Sequence, residues 1–244
     1  MNPEQFQTEL LKNGVQLSAT QLNQFELYFK LLVEGNEQLN LTSITDHEEV
    51  YLKHFYDSIL PALNFKALQT ESLTLCDVGA GAGFPSLPMK IAFPQLKITI
   101  IDSLNKRINF LQGLVEQLGL TDVTLIHDRA ETFGGLTSEY RESFDIVTAR
   151  AVARLSVLTE FCLPLTKIGG HFIALKASQS GDELSEGQAA IETLGGSVES
   201  VVESSLPVSG EPRTMIVIKK VTATPDKYPR RPGVPLKKPI QTKK

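Results

Sequence analysis

Two rhythms of apolar positions divide the chain. Over the first 60 residues the apolar side chains recur near helical spacing. Ser18 followed by Gln21 has the form of a capping box, and Leu22, Phe25, Phe29, Leu32 and Leu39 follow it. Asp46 with Glu49 opens another predicted helix, which carries Val50, Phe55 and Ile59 up to Pro61. A polar turn, Asn40-Leu41-Thr42-Ser43, lies between them. From residue 72 short, nearly all-apolar runs alternate with helical stretches. The predicted strands are Leu73–Val78, Ile98–Ile101, Val123–Ile126, Phe144–Ala149 and His171–Leu175. The predicted helices cover 85–92, 105–118, 154–163 and 182–194. Strands apolar on both faces belong in a parallel sheet covered by helices on both sides. After Gly195-Gly196, Ser197–Glu203 and Thr214–Lys219 form a predicted hairpin, so an edge strand is expected to be antiparallel.

Composition narrows the class. The chain has 244 residues, 41% hydrophobic and 21% charged, as expected of a globular protein with a sizeable core. Cys76 and Cys162 both sit in apolar runs, which fits small core residues of a cytosolic protein better than a disulfide scaffold. The start, MNPEQFQTEL, shows no signal-peptide pattern, and no apolar run approaches the ~18 residues of a membrane span. The net charge of -4 conceals an asymmetry. Residues 219–244 hold nine Lys or Arg against Asp226 alone, a local +8, leaving 15 basic and 27 acidic side chains before them. Such a basic tail suits a polyanion. Its five prolines, from Pro225 to Pro239, point to extended, polyproline-like chain.

The strongest chemical signal is Asp77-Val78-Gly79-Ala80-Gly81-Ala82-Gly83-Phe84-Pro85, a strand running through three alternate glycines into a helix. Glycines there let a ligand approach the main chain, at the carboxyl end of the first strand where open α/β sheets bind ligands. The dinucleotide fingerprint G-x-G-x-x-G fails in both registers, because Phe84 and Ser86 stand where glycine is required. Asp77, two residues before the first glycine, suits a ligand with a positive end such as an ammonium, and suits a pyrophosphate poorly. Asp102, ending the second strand 23 residues after Gly79, can accept hydrogen bonds from a ribose diol. His127-Asp128-Arg129-Ala130-Glu131 follows the third strand, where polar residues can meet a purine. Arg150 ends the fourth strand and should meet a carboxylate: one on the ligand, a neighbouring Asp, or Asp145.

Taken together, these segments resemble class I S-adenosylmethionine-dependent methyltransferases. With Asn40-Leu41-Thr42-Ser43, His54-Phe55-Tyr56-Asp57-Ser58, Asp102-Ser103-Leu104-Asn105-Lys106-Arg107 and Thr148-Ala149-Arg150-Ala151, the chain more narrowly resembles the glucose-inhibited division protein B family. That family comprises bacterial 16S ribosomal RNA guanine-N7 methyltransferases. The likeness runs from about residue 20 into the tail, including Lys227-Tyr228-Pro229-Arg230-Arg231-Pro232-Gly233.

The resemblance implies an α/β, Rossmann-like fold: a mostly parallel seven-stranded sheet with helices on both faces and an N-terminal helical extension. It implies S-adenosyl-L-methionine as cofactor, with Gly79, Gly81 and Phe84 at its methionine and ribose parts. Asp102 would then bind the ribose hydroxyls, Ala130 and Glu131 would lie at the adenine, and Arg150 near the site of transfer. The implied partner is 16S ribosomal RNA in the small subunit, acted on by a cytoplasmic monomer. The expected division is an extension over 1–65, a cofactor-binding domain over 66–221 and a basic tail over 222–244, whose Lys, Arg and Tyr228 suit phosphate and stacking contacts. Guanine N7 bears a lone pair and no proton, so no catalytic base is needed and none is assigned. His54 and Asp57, three apart on a predicted helix, share a face; either a packing pair or a contact to RNA fits them. No metal-ligand spacing is present. The same cofactor fold would also serve methylation of a protein or small molecule, or a nucleotide-binding regulator.

Overall fold

The computed structural model of the chain describes residues 1–177 and 181–241. Five helices come first: α1 (Pro3–Lys12), α2 (Ala19–Leu39), α3 (His47–Val50), α4 (Asp57–Asn64) and α5 (Ala67–Thr70). A π-helical turn, Tyr51–Tyr56, joins α3 to α4. Then follow β1 (Thr74–Val78), α6 (Ser86–Ala92), β2 (Lys97–Asp102), α7 (Asn105–Leu118), β3 (Val123–His127) and α8 (Ala130–Phe133). The chain continues with β4 (Phe144–Arg150), α9 (Leu155–Cys162), β5 (Thr166–Lys176), α10 (Gly181–Thr193), β6 (Gly196–Ser205), β7 (Pro212–Lys220) and α11 (Val234–Lys237).

Caps set the helix starts. Ser18 and Gln21 form the expected capping box of α2, and Asn2 with Gln5 forms a second one for α1 that the sequence reading did not single out. The expected helix from Asp46 does not stop at Pro61. Pro61 is buried inside α4, which runs on unbroken to Asn64, where the capping Phe65 N–H donates to Pro61 O at 2.8 Å. Packing of the ring in the core outweighs the one backbone donor that proline lacks.

The seven strands form one sheet in the order β3-β2-β1-β4-β5-β7-β6. The first five are parallel, and β7 runs antiparallel to both β5 and β6. This is the expected mostly parallel sheet, with the β6–β7 hairpin folded so that its second strand enters the sheet. From β1 the chain steps to β2 on one side and later to β4 on the other. The carboxyl end of β1 is therefore the topological switch point, where two loops diverge and leave a crevice.

The N-terminal helices are welded to one face of the sheet. Phe6, Phe25, Phe55 and Tyr28 share one buried cluster with Leu75, Ile98 and Ile100 of the strands. Ring centroids lie 5.0 Å apart for Phe6–Phe25 and 5.1 Å for Phe25–Phe55. The buried stripe of α2 is Phe25, Tyr28 and Leu32, while Leu22 and Phe29 pack only partly against it. Cys76 and Cys162 are buried free thiols in a second cluster on the other side of the sheet. Among the described residues no helix is long and apolar enough to cross a membrane.

The tail departs from its expected form. It folds back on the body and makes the turn α11, with Lys238 N–H donating to Val234 O at 2.9 Å. A buried carboxylate pulls it in: Glu160, on α9, accepts from Arg230 Nε at 2.9 Å and Nη2 at 2.5 Å. Lys243 and Lys244 of the expected basic tail lie outside the described residues.

Candidate functional site

The turn after β1 is built for close approach. Gly81 has φ +60°, and a Cβ built on it would meet no protein atom within 4 Å. Gly83, at φ +101°, is glycine for another reason: a Cβ there would lie 2.7 Å from both Leu87 Cδ1 and the Tyr28 hydroxyl. Gly81 thus opens onto a space, whereas Gly83 is pressed against the N-terminal helices. The Tyr28 hydroxyl, from α2, donates to Ala82 O at 2.6 Å and ties the loop down.

Beneath the turn, Asp77 is fully buried. Its Oδ2 accepts from Ser86 N–H at 3.1 Å, at the start of α6. Its Oδ1 and the Ser86 hydroxyl have no hydrogen-bond partner among the described residues. Burial pushes the Asp77 carboxyl up to about 7, against the stabilising pull of Ser86 and Arg150. An orphaned acidic oxygen under a glycine turn fits a cationic ligand group above it.

Asp102 ends β2 with its side chain only 2% exposed. Oδ1 accepts from Leu104 N–H at 2.9 Å and Oδ2 from Arg107 Nη1 at 3.2 Å, so each oxygen keeps lone-pair capacity for a further donor. Ala130 and Glu131 begin α8. Glu131 Oε1 accepts from the main-chain N–H of Gly233 in the tail at 2.8 Å.

At the other end of the cleft, Arg150 finds its carboxylate on Asp57, 3.1 Å away. Of the three possible partners, a neighbouring Asp is therefore the one present. Asp145 is held instead by Thr74, 2.8 Å from its N–H and 2.7 Å from its hydroxyl, and by Lys167. Asp57 Oδ1 also accepts from Arg213 Nε at 2.8 Å. His54 stacks on Phe84 at 4.5 Å and 15°, Phe84 stacks on Tyr28 at 5.5 Å and 10°, and the Arg150 guanidinium carbon lies 5.1 Å from the Phe84 centroid. The His54 Nε2 and the Thr42 hydroxyl are 2.8 Å apart. Burial and the nearby charge of Arg150 lower His54 to about 3, so its ring is neutral at pH 7.

One cavity of about 480 Å³ joins these parts. Gly79, Gly81, Phe84, Asp102, Ala130, Glu131 and Arg150 all line it. Thr42, His54 and Arg107 line it as well, and so does Leu236 of the tail. The volume is that of a site for a nucleoside-sized ligand.

The family model for rRNA small subunit methyltransferase G, GidB, matches residues 21–211. The chain belongs to this family. A curated relative from Limosilactobacillus reuteri (strain DSM 20016), "Ribosomal RNA small subunit methyltransferase G", is 66% identical over 99% of this chain and 100% of its own. Another of the same name, from Lactiplantibacillus plantarum, is 60% identical over 98% of each chain. Solved structures add the fold alone. A SAM-dependent methyltransferase from Aquifex aeolicus superposes with a TM-score of 0.53 at 20% identity, covering 75% of this chain and 97% of that one. A mutant of MtNAS in complex with S-adenosylmethionine gives 0.52 at 16%, covering 81% and 76%. The class I, Rossmann-like architecture expected from the sequence is thus the observed one, and the chain is an rRNA methyltransferase of the GidB family.

Tyr28, buried behind the glycine turn, and Leu236, which lines the cavity, escaped the sequence reading. Tyr28 lies three residues after Phe25 and reads as one more apolar position of α2, yet its hydroxyl is what meets the glycine turn. Leu236 sits in a Pro-rich basic stretch whose sequence gives no sign that it folds back.

Proposed function

We propose that the chain transfers a methyl group from S-adenosyl-L-methionine to N7 of a guanine in 16S ribosomal RNA of the small subunit. The observation that carries this reading is the single cleft. A glycine turn open at Gly81, an acid at the end of β2 and a cationic corner at Arg150 face one cavity in a chain of the GidB family. When bound, S-adenosylmethionine supplies a methyl group on a positively charged sulfur.

The residues divide the work by chemistry. Gly79 and Gly81 give main-chain access to the methionine part. Asp77, through its free Oδ1, offsets a positive ammonium. Asp102 accepts from the ribose hydroxyls, and Ala130 with Glu131 borders the adenine. Phe84, held between Tyr28 and His54, fixes the floor of the transfer end. Arg150 is clamped by Asp57 and presents a fixed cation there. Guanine N7 needs no proton removed, so the chain orients two reactants and excludes water; it need not hold a base. We assign residues 1–65 to a helical extension, 66–221 to the cofactor-binding domain and 222–244 to a basic tail whose Leu236 lines the cleft, working as a monomer in the cytoplasm.

The test is labelled methyl transfer to small subunits from cells lacking this gene. One methyl per 16S RNA, cleaved by borohydride and aniline at a single guanine, is the expected result. Label in protein, or none in RNA, overturns it.

A further inference from the structure

The tail lies beyond residue 211, where the family model stops matching, yet it is firmly anchored. Arg230 donates from N, Nε and Nη2 to the fully buried Glu160. Arg141 reaches out from the body and donates to Tyr228 O and Thr224 O, both at 2.8 Å. Gly233 donates to Glu131 at 2.8 Å and turns the chain with φ +81° into α11. These ties fix where α11 stands. Pro235 is buried, and the next residue, Leu236, is 53% exposed and faces the cavity.

An apolar side chain held half open to water at the rim of a cleft gains most when a flat apolar surface covers it. The Gly233–Glu131 bond sets α11 beside Ala130 and Glu131, at the end of the cleft opposite His54 and Arg150. The ligand part that belongs at this end is the purine. We propose that Leu236, carried by the C-terminal strap, is a cofactor-binding residue that forms a wall against the adenine ring of the methyl donor. This rests on the cofactor reading above and adds to it a contact from outside the segment that the family model covers.

Calorimetric titration of the full chain with S-adenosylmethionine and with S-adenosylhomocysteine tests it. Both carry the same adenine, so Leu236→Ala should weaken both equally, by about fivefold. Leu236→Met should restore most of the loss, and Lys237→Ala, exposed on the same turn, should leave both affinities unchanged. Because Leu236 is exposed, its replacement should not move the melting temperature. Native affinity in Leu236→Ala overturns the proposal, as does an unchanged affinity accompanied by a raised KM for small subunits, which would turn the residue toward RNA. If the unaltered chain binds neither compound, the cofactor reading itself falls and takes this wall with it.

Discussion

The Asp57 carboxylate lies 3.1 Å from Arg150, and the two residues are 93 apart in sequence. The same carboxylate holds Arg213 at 2.8 Å, and both arginines are about 15% exposed. One acid therefore stands between two cations that would otherwise face each other, and Glu211 supplies a second carboxylate to Arg213 at 3.3 Å. Removing a partner from a buried pair costs about 3–5 kcal/mol, and residual exposure lowers that figure. Asp57→Asn should destabilise the fold by about 2 kcal/mol and slow methyl transfer by releasing Arg150. Urea denaturation reads the first effect, single-turnover transfer the second. An unchanged urea midpoint would show that the cluster contributes nothing to stability.

Gly81 and Gly83 should fail in different ways. At Gly83 an added methyl meets Leu87 and the Tyr28 hydroxyl, so Gly83→Ala must displace the loop or α2. A stability loss of about 2–3 kcal/mol is expected. At Gly81 the methyl enters open cavity, and the cost to the fold is only the left-handed backbone, about 1 kcal/mol. Cofactor affinity should nevertheless collapse in Gly81→Val, because a branched side chain fills the ligand's space. Melting curves and calorimetry on the two variants separate the effects. Normal cofactor binding by Gly81→Val would remove the glycine turn from the site.

That contrast marks what the sequence could and could not convey. The alternation of apolar runs from residue 72 disclosed the sheet because parallel strands are buried on both faces. The spacing Gly79, Gly81, Gly83 located the turn, since local backbone demands leave a local trace. Which glycine faces a ligand and which faces Tyr28 depends on packing between segments 54 residues apart. The partner of Arg150 was open for the same reason: Asp57, Asp145 and a ligand acid all satisfy a guanidinium, and only the meeting of α4 with β4 selects among them. The tail misled most. Five prolines and a run of cations describe local stiffness and charge, while its course is set by Glu160, 70 residues away.

Acidity should reveal the cleft's two unusual groups with opposite signs. His54 is lowered from 6.5 to about 3, chiefly by burial and then by Arg150. The unfolded chain therefore binds a proton that the folded one refuses, and stability falls as pH drops from about 6.5 toward 3. Asp77 is raised from 3.8 to about 7 by burial. Here the folded chain keeps the proton, so this contribution is complete below about pH 4 and lost as pH climbs to 7. Urea midpoints measured from about pH 4.5 to 7.5 should fall less on acidification in His54→Gln than in the native chain. In Asp77→Asn they should decline less toward neutrality. Profiles parallel to the native one in both variants would contradict the electrostatics of the cleft.

The charge pair that holds the tail permits a sharper test than truncation. Cutting the chain after Val221 would remove Arg230 and strand the Glu160 carboxylate, which is 0% exposed. Any loss of RNA binding in such a fragment would then be confounded by damage to α9. Arg230→Ala alone should cost about 3 kcal/mol, because the acid stays behind without its partner. Pairing it with Glu160→Gln should recover part of that loss, since a neutral amide is cheaper to bury than an unpaired charge. Arg231, Lys237 and Lys238 are exposed and bear none of this load, so they are among the cations left for phosphate contacts. Converting all three to Gln should leave the melting temperature within about 1 °C of native. It should also weaken binding to small subunits and flatten its dependence on salt by roughly three counterions. Filter binding at several salt concentrations decides the point: an unaltered salt slope would show that these three charges touch no RNA.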